Sequence, residues 1–226
     1  QDPPATADLR TIIYGLSAAN FVIGMGAFVV IGMLQPIADG FSVSPAEAGW
    51  GLTSYALGYA ILSPLLVAVT GGIGRRRILA FSLSLFVFAS LAAAVMPGFA
   101  GLLALRVVAA AGAGMFSPIA AAVVAGLAPP EPRARALAAV FFGLTLAQVA
   151  GVPAGSWLAF TFGWQSAFLL VACLGLPCIW LVWTQVPAGL KFQPVSLRDL
   201  GATLTNGLQM ASILFTASFL GAVYIV

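Results

Sequence analysis

Apolar residues in this chain do not alternate with polar ones; they run in long unbroken tracts. Six of them cover Thr11–Leu34, Ala48–Thr70, Ile78–Met96, Ala100–Leu127, Ala136–Phe160 and Gln165–Gln185, and a seventh runs from Gly201 to Val226. About 20 apolar residues in helical form cross the hydrocarbon core of a bilayer, so each tract predicts a transmembrane helix. Strands of a membrane barrel are about ten residues long and alternate in polarity; these tracts do neither. The joins are short and marked by proline and glycine, as in "GGIGRRR" and "APPEPRAR". The predicted organisation is a tail over 1–10, a six-helix bundle over 11–185, a linker over 186–200 and a seventh helix over 201–226. The first tract, at 24 residues, is too long for the apolar region of a signal peptide.

Composition agrees with the pattern. The chain is 62% hydrophobic and 7% charged, with a mean hydropathy of +1.09, whereas a soluble domain is about a quarter charged. The expected class is an all-α integral membrane protein. There is no histidine. Cys173 and Cys178 share one tract, about 140° apart on a helix. They read as apolar filler, with no disulfide, metal site or cofactor implied, and nothing points to nucleic acid.

The placement of charge orients the chain. With the N-terminus in the cytoplasm, Arg10, Arg75, Arg76, Arg77, Arg133, Arg135, Lys191 and Arg198 fall inside and no lysine or arginine falls in an outer loop. The outer loops hold Asp39 and Glu47. An eight-to-zero split is the positive-inside rule obeyed in full. The tracts also repeat: "GLT" at Gly51 recurs at Gly143, and the same offset of 92 carries the first tract onto the fourth. Three spans repeated make the second copy enter from the opposite side.

Several motifs now carry a family resemblance. "GGIGRRRIL", with Gly74, Arg75 and Arg76, resembles the loop motif between spans two and three of the major facilitator superfamily. "LLALRVVAAAGAG", centred on Arg106, resembles its span-four motif. "GLTLAQVAGVPAGSWLAFTFGW", with Gly151, Pro153 and Gly155, resembles its span-five antiporter motif. With "SYALGYAILSPLL" the pattern is most similar to the drug:proton antiporter branch, near the arabinose- and purine-efflux-like permeases. The resemblance implies the N-terminal six-helix bundle of that fold, built as 3+3 inverted repeats, plus the seventh span. It implies secondary active efflux of a small organic molecule across the bacterial inner membrane by alternating access. Two positions depart from the pattern. Gly71 stands where the loop motif has an acid, and "GMGAFVV" in the first tract lacks the acid of many antiporters.

The candidate cavity residues are Asn20, Phe28 and Gln35 on span one, Tyr55 and Tyr59 on span two, Arg106 and Ser117 on span four, and Gln148 on span five. Asn20, Gly24, Phe28, Ile31 and Gln35 fall on one α-helical face, expected to look inward. Either these polar groups line a ligand cavity or they bond helix to helix. Arg106, the one ion inside a tract, either faces the cavity or snorkels to the outer surface; its place mid-helix costs about 2.5–3.5 kcal/mol on insertion scales. Gly74, Arg75, Arg76, Arg77 and Glu131 are read as topology and cytoplasmic-gate residues, with a Glu131–arginine pair as a latch. Gly151, Pro153 and Gly155 are expected to pack against another bundle.

An enzyme is disfavoured, because the tracts hold no histidine and no carboxylate. A retinal protein is disfavoured too, because Lys191, the one lysine, lies in a loop. A non-transporting structural partner built on the same scaffold stays open. A half of this kind, alone, is expected to pair as a homodimer about an axis along the membrane normal or to be a poorly active fragment. The topology has a direct check: a cysteine replacing Arg76 should react with an impermeant maleimide from the cytoplasmic side alone. Labelling from outside sealed cells would reverse the assignment.

Overall fold

A computed structural model describes residues 8–190, 205–207, 210–212 and 214–215. Residues 191–204 and most of the last tract, and with them most of the expected linker (186–200) and of the seventh helix, lie outside the described residues. Among the described residues six helical stretches are long and apolar enough to cross a membrane. They are span one, Leu9–Phe41; span two, Pro45–Gly72; span three, Arg75–Ala94; span four, Phe99–Leu127; span five, Arg133–Phe162; and span six, Trp164–Gln185. Helices are what hydrocarbon demands, because each backbone donor and acceptor is then satisfied within its own segment. Span two opens on a capping box, in which the Ser44 N–H donates to Glu47 Oε2 at 2.7 Å and the Glu47 N–H donates to Ser44 Oγ at 3.2 Å. The turn between spans five and six uses Gly163 at φ 89°, a conformation that favours glycine.

Spans one and five change helix type part-way along. Span one is α-helical over Leu9–Phe28, a 3-10 helix over Val29–Met33, and α-helical again over Leu34–Phe41. Span five has a π-helical turn at Ala147–Gly151, just before Pro153. Proline there has no N–H for the carbonyl one turn back, and a widened turn accommodates the loss.

Span two packs on four, four on three, three on six, six on one, and one on five; four also touches one and five. Spans two and five build no seam with each other, so the ring is open between them. Exchanging one with four, two with five and three with six leaves this order unchanged, as 3+3 inverted repeats require. The matching seams share their chemistry. Ser63 Oγ on span two donates to the Gly114 carbonyl of span four at 2.6 Å, and Ser156 Oγ on span five donates to the Gly32 carbonyl of span one at 2.6 Å. Each serine lies against the glycine whose carbonyl it holds. Between membrane helices, close packing and such bonds supply the association that water supplies elsewhere, at about 0.6–1.7 kcal/mol per bond.

The span-five glycines correct an expectation. Gly151 faces Met25 and Gly155 faces Val29, both on span one of the same bundle. The small residues let spans one and five approach each other rather than a second bundle. Pro153 and Ala154, by contrast, point outward and are exposed. Burial shows which side lacks cover: the most hydropathic stretch of span two is 11% buried and that of span five 28%, against 67% for span four.

Gly143 is the tightest point of the one–five seam. A Cβ there would strike the Ser17 carbonyl oxygen and come within 2.9 Å of the Phe21 nitrogen, both backbone atoms that cannot swing away. Gly143→Ala should therefore destabilise the bundle by about 1–3 kcal/mol, the usual range for overpacking. Gly72→Ala, with nothing within 4 Å of the new carbon, should be close to neutral. Thermal unfolding in detergent compares the two; equal melting would show that the seam is not close-packed.

Candidate functional site

Arg106 sits seven residues into span four and is 2% exposed. Its Nε donates to the Gly51 carbonyl of span two at 3.1 Å. The two terminal nitrogens donate to the Gly26 carbonyl at 2.6 Å and the Ala27 carbonyl at 2.8 Å on span one. These two carbonyls belong to the last turn of the first α segment, where the change to 3-10 geometry disturbs the regular ladder of acceptors. The guanidinium also lies 4.4 Å from the Tyr55 ring centroid, a cation–π contact worth about 2 kcal/mol when desolvated. Arg106 thus neither snorkels to the surface nor projects into open space. Its charge is spent on two neighbouring backbones.

From Arg106 a thread of polar groups runs through the bundle. The Tyr55 ring stacks on that of Tyr59 with centroids 6.4 Å apart. Tyr59 is half-buried and comes within reach of the Ser117 hydroxyl. Ser117 Oγ donates to Asn20 Oδ1 at 2.9 Å, and Asn20 Nδ2 donates to the Val140 carbonyl at 3.1 Å. Asn20 is wholly buried and ties spans one, four and five together. No carboxylate joins the thread: Asp8, Asp39, Glu47 and Glu131, the acids among the described residues, are all exposed.

The face expected on span one divides. A 3-10 helix turns about 120° per residue against about 100° in an α-helix, so Val29–Met33 rotates the rest of the span by about 100°. Asn20 and Gly24 consequently face span five, with Gly24 against Leu144 and Ala147. Ile31 and Gln35 are exposed, and Gln35 Nε2 donates to Asp39 Oδ1 at 2.8 Å near the C-terminal end of the span. Phe28 is half-buried at the break, and Gln148 is exposed on the π-helical turn of span five. Of the candidate cavity residues, Asn20 and Arg106 are thus buried inside the half, whereas Gln35 stays exposed.

At the arginine end, Gly74 caps span three and Arg75 to Arg77 form its first turn. Arg75 is buried, and its N–H donates to the Leu190 carbonyl at 3.2 Å. Arg76 lies 4.7 Å over the Trp183 ring of span six. Glu131 is exposed in the turn before span five and joins no ion pair among the described residues. Among the described residues no Glu131–arginine latch is formed, and Arg76 and Arg77 lie beside span six instead.

With this geometry in view, comparison with known proteins identifies the family. The sequence pattern of the Major Facilitator Superfamily matches residues 16–226. This chain belongs to that superfamily. Relatives include the MFS-type transporter YtbD of Bacillus subtilis, 31% identical over 95% of this chain and 54% of its own length. The inner membrane transport protein YdhP of Escherichia coli is 31% identical over 94% and 54%. The chloramphenicol resistance protein of Streptomyces lividans is 34% identical over 78% and 45%. The chain spans about half the length of the curated relatives it matches. In fold it resembles a bacterial homologue of the lysosomal transporter Spinster in an inward-facing state, with a TM-score of 0.67 and 22% identity over 86% of this chain and 47% of that one. It also resembles the proton:xylose symporter XylE, with a TM-score of 0.67 and 19% identity over 91% and 49%. Superfamily members are integral membrane transporters, not enzymes.

Ser63 and Ser156 were not singled out from the sequence, although the repeat offset that links the two "GLT" segments brings them into near register. Arg106→Ala should remove three charge-assisted hydrogen bonds, each about 1.5–3 kcal/mol, along with the cost of burying the ion. A net loss of about 3 kcal/mol in stability is expected, read by denaturation of the protein in micelles. Arg106→Lys should restore little of it, since one ammonium cannot copy the planar fork. Unchanged stability in the alanine variant would show that the carbonyls do not need the guanidinium.

Proposed function

We propose that this chain is the first bundle of an exporter of small organic molecules, working by alternating access as it rocks against a second bundle. The observation that carries this reading is the open side of the ring. The uncovered faces of spans two and five carry Thr53, Thr145 and Gln148 among Leu57, Ile61 and Val149. An apolar surface with a few uncharged polar groups suits a drug-sized ligand, and the chloramphenicol resistance relative favours the same size class. Relatives about twice as long leave room for a second bundle to cover these faces. A homodimer of this chain is the other way to cover them.

The N-terminus is assigned to the cytoplasm of a bacterial cell and the bundle to the inner membrane, since Arg10, Arg75–Arg77, Arg133 and Arg135 all sit at the ends that this orientation keeps inside. With no carboxylate buried among the described residues, we place any proton-carrying carboxylate outside spans one to six.

The test is drug accumulation in cells stripped of their own exporters. The full-length protein should lower the steady-state level of at least one compound in a panel of drug-sized molecules several-fold. Residues 1–190 alone should not. No effect across the panel would count against export, and transport by a monomeric 1–190 would remove the need for a second bundle.

A further inference from the structure

We propose that a groove between spans three and six, at the arginine end of the bundle, binds an anionic phospholipid. The groove has a volume of about 540 Å³. Arg77, Phe81, Ser84, Leu176, Trp180 and Trp183 are among its lining residues. From Arg77 to Ser84 it follows the helix for about 10 Å, with a cation at the mouth and apolar walls below. Trp180 and Trp183 are both exposed near the end of span six, the depth at which tryptophan meets lipid headgroups.

Among the described residues no acid answers the charge at the mouth. Arg77 is exposed, and Arg76 lies over Trp183 with its Nε buried and without a hydrogen-bond partner. Neither forms an ion pair among the described residues. Both stand in the first turn of a helix, where the backbone dipole is itself positive. A phosphodiester answers all three features: it takes bidentate bonds from guanidinium groups, neutralises the helix end, and brings an acyl chain for the apolar wall. A zwitterionic lipid adds an ammonium that the arginines repel.

Position keeps the groove in contact with lipid. In the packing order two–four–three–six–one–five, the three–six seam lies across the bundle from the open side between two and five. A partner that closes the open side leaves this seam uncovered. The inference holds whatever the protein transports.

Native mass spectrometry of the full-length protein, extracted from bilayers of equal phosphatidylglycerol and phosphatidylcholine, reads the retained lipid. Phosphatidylglycerol should be retained in preference, by about fivefold for each contributing arginine. Arg76→Gln with Arg77→Gln should bring retention to parity, while Arg133→Gln, the same charge change on another exposed arginine, should preserve the preference. Ser84→Trp should fill the groove and expel the lipid with the arginines intact. Glycerophosphoglycerol, the headgroup without acyl chains, should not compete. Equal retention of both lipids by the natural protein, an undiminished preference in the double variant, or displacement by the free headgroup would each overturn the proposal.

Discussion

A backbone carbonyl that loses its helical partner inside a membrane has no water to turn to. Span one departs from α geometry at Val29–Met33, in the thick of the bundle, and Arg106 takes up the carbonyls of Gly26 and Ala27 beside the break. The same guanidinium reaches the Gly51 carbonyl, so one side chain joins spans one, two and four. Each member of this contact makes the others tolerable. The ion would be costly without the carbonyls, and the break would leave weakly held acceptors without the ion. Tyr55 fills the remaining face and starts the polar thread that ends on Asn20 and Val140.

Close approach elsewhere serves the same end. Glycines let spans one and five, and spans two and four, come near enough for Ser156 and Ser63 to hydrogen-bond the facing backbones. These two seams are images of each other under the repeat. Each half of the repeat fastens its second helix to the first helix of the other half, which leaves spans two and five as the free rims of a ring. A bundle fastened in this way can move as a unit, and alternating access by rocking needs units of that kind.

The spans were legible because bilayer thickness fixes the length and polarity of what can cross it. The repeat was legible from "GLT" at Gly51 and Gly143 and from matching span lengths. The inward face of span one was not. "VVIGM" is as apolar as a regular helix would be, and nothing in it announces the 3-10 turn that separates Asn20 from Gln35. Gly151 and Gly155 signal close approach by their size, but small residues do not say which helix approaches; here it is span one, through Met25 and Val29. For Arg106, hydropathy exposed the cost of the buried ion without showing that backbone carbonyls would meet it. Trp180 and Trp183 carry no signal of their own because aromatic residues near a span end are common, and the neighbour that gives them meaning, Arg77, is about a hundred residues away in sequence.

The clamp of Arg106 on span one can be observed in the bilayer itself. Solid-state NMR on protein carrying nitrogen-15 in its arginine side chains and carbon-13 in its glycine and alanine carbonyls measures the dipolar coupling between them, with Arg106→Gln as the reference that assigns the signal. The account predicts a coupling from Gly26 and Ala27 that corresponds to a nitrogen–carbon separation of about 4 Å, as expected for a direct N–H···O=C bond, and its loss in the variant. A guanidinium that shows no such coupling, and exchanges its protons freely with water, would contradict it.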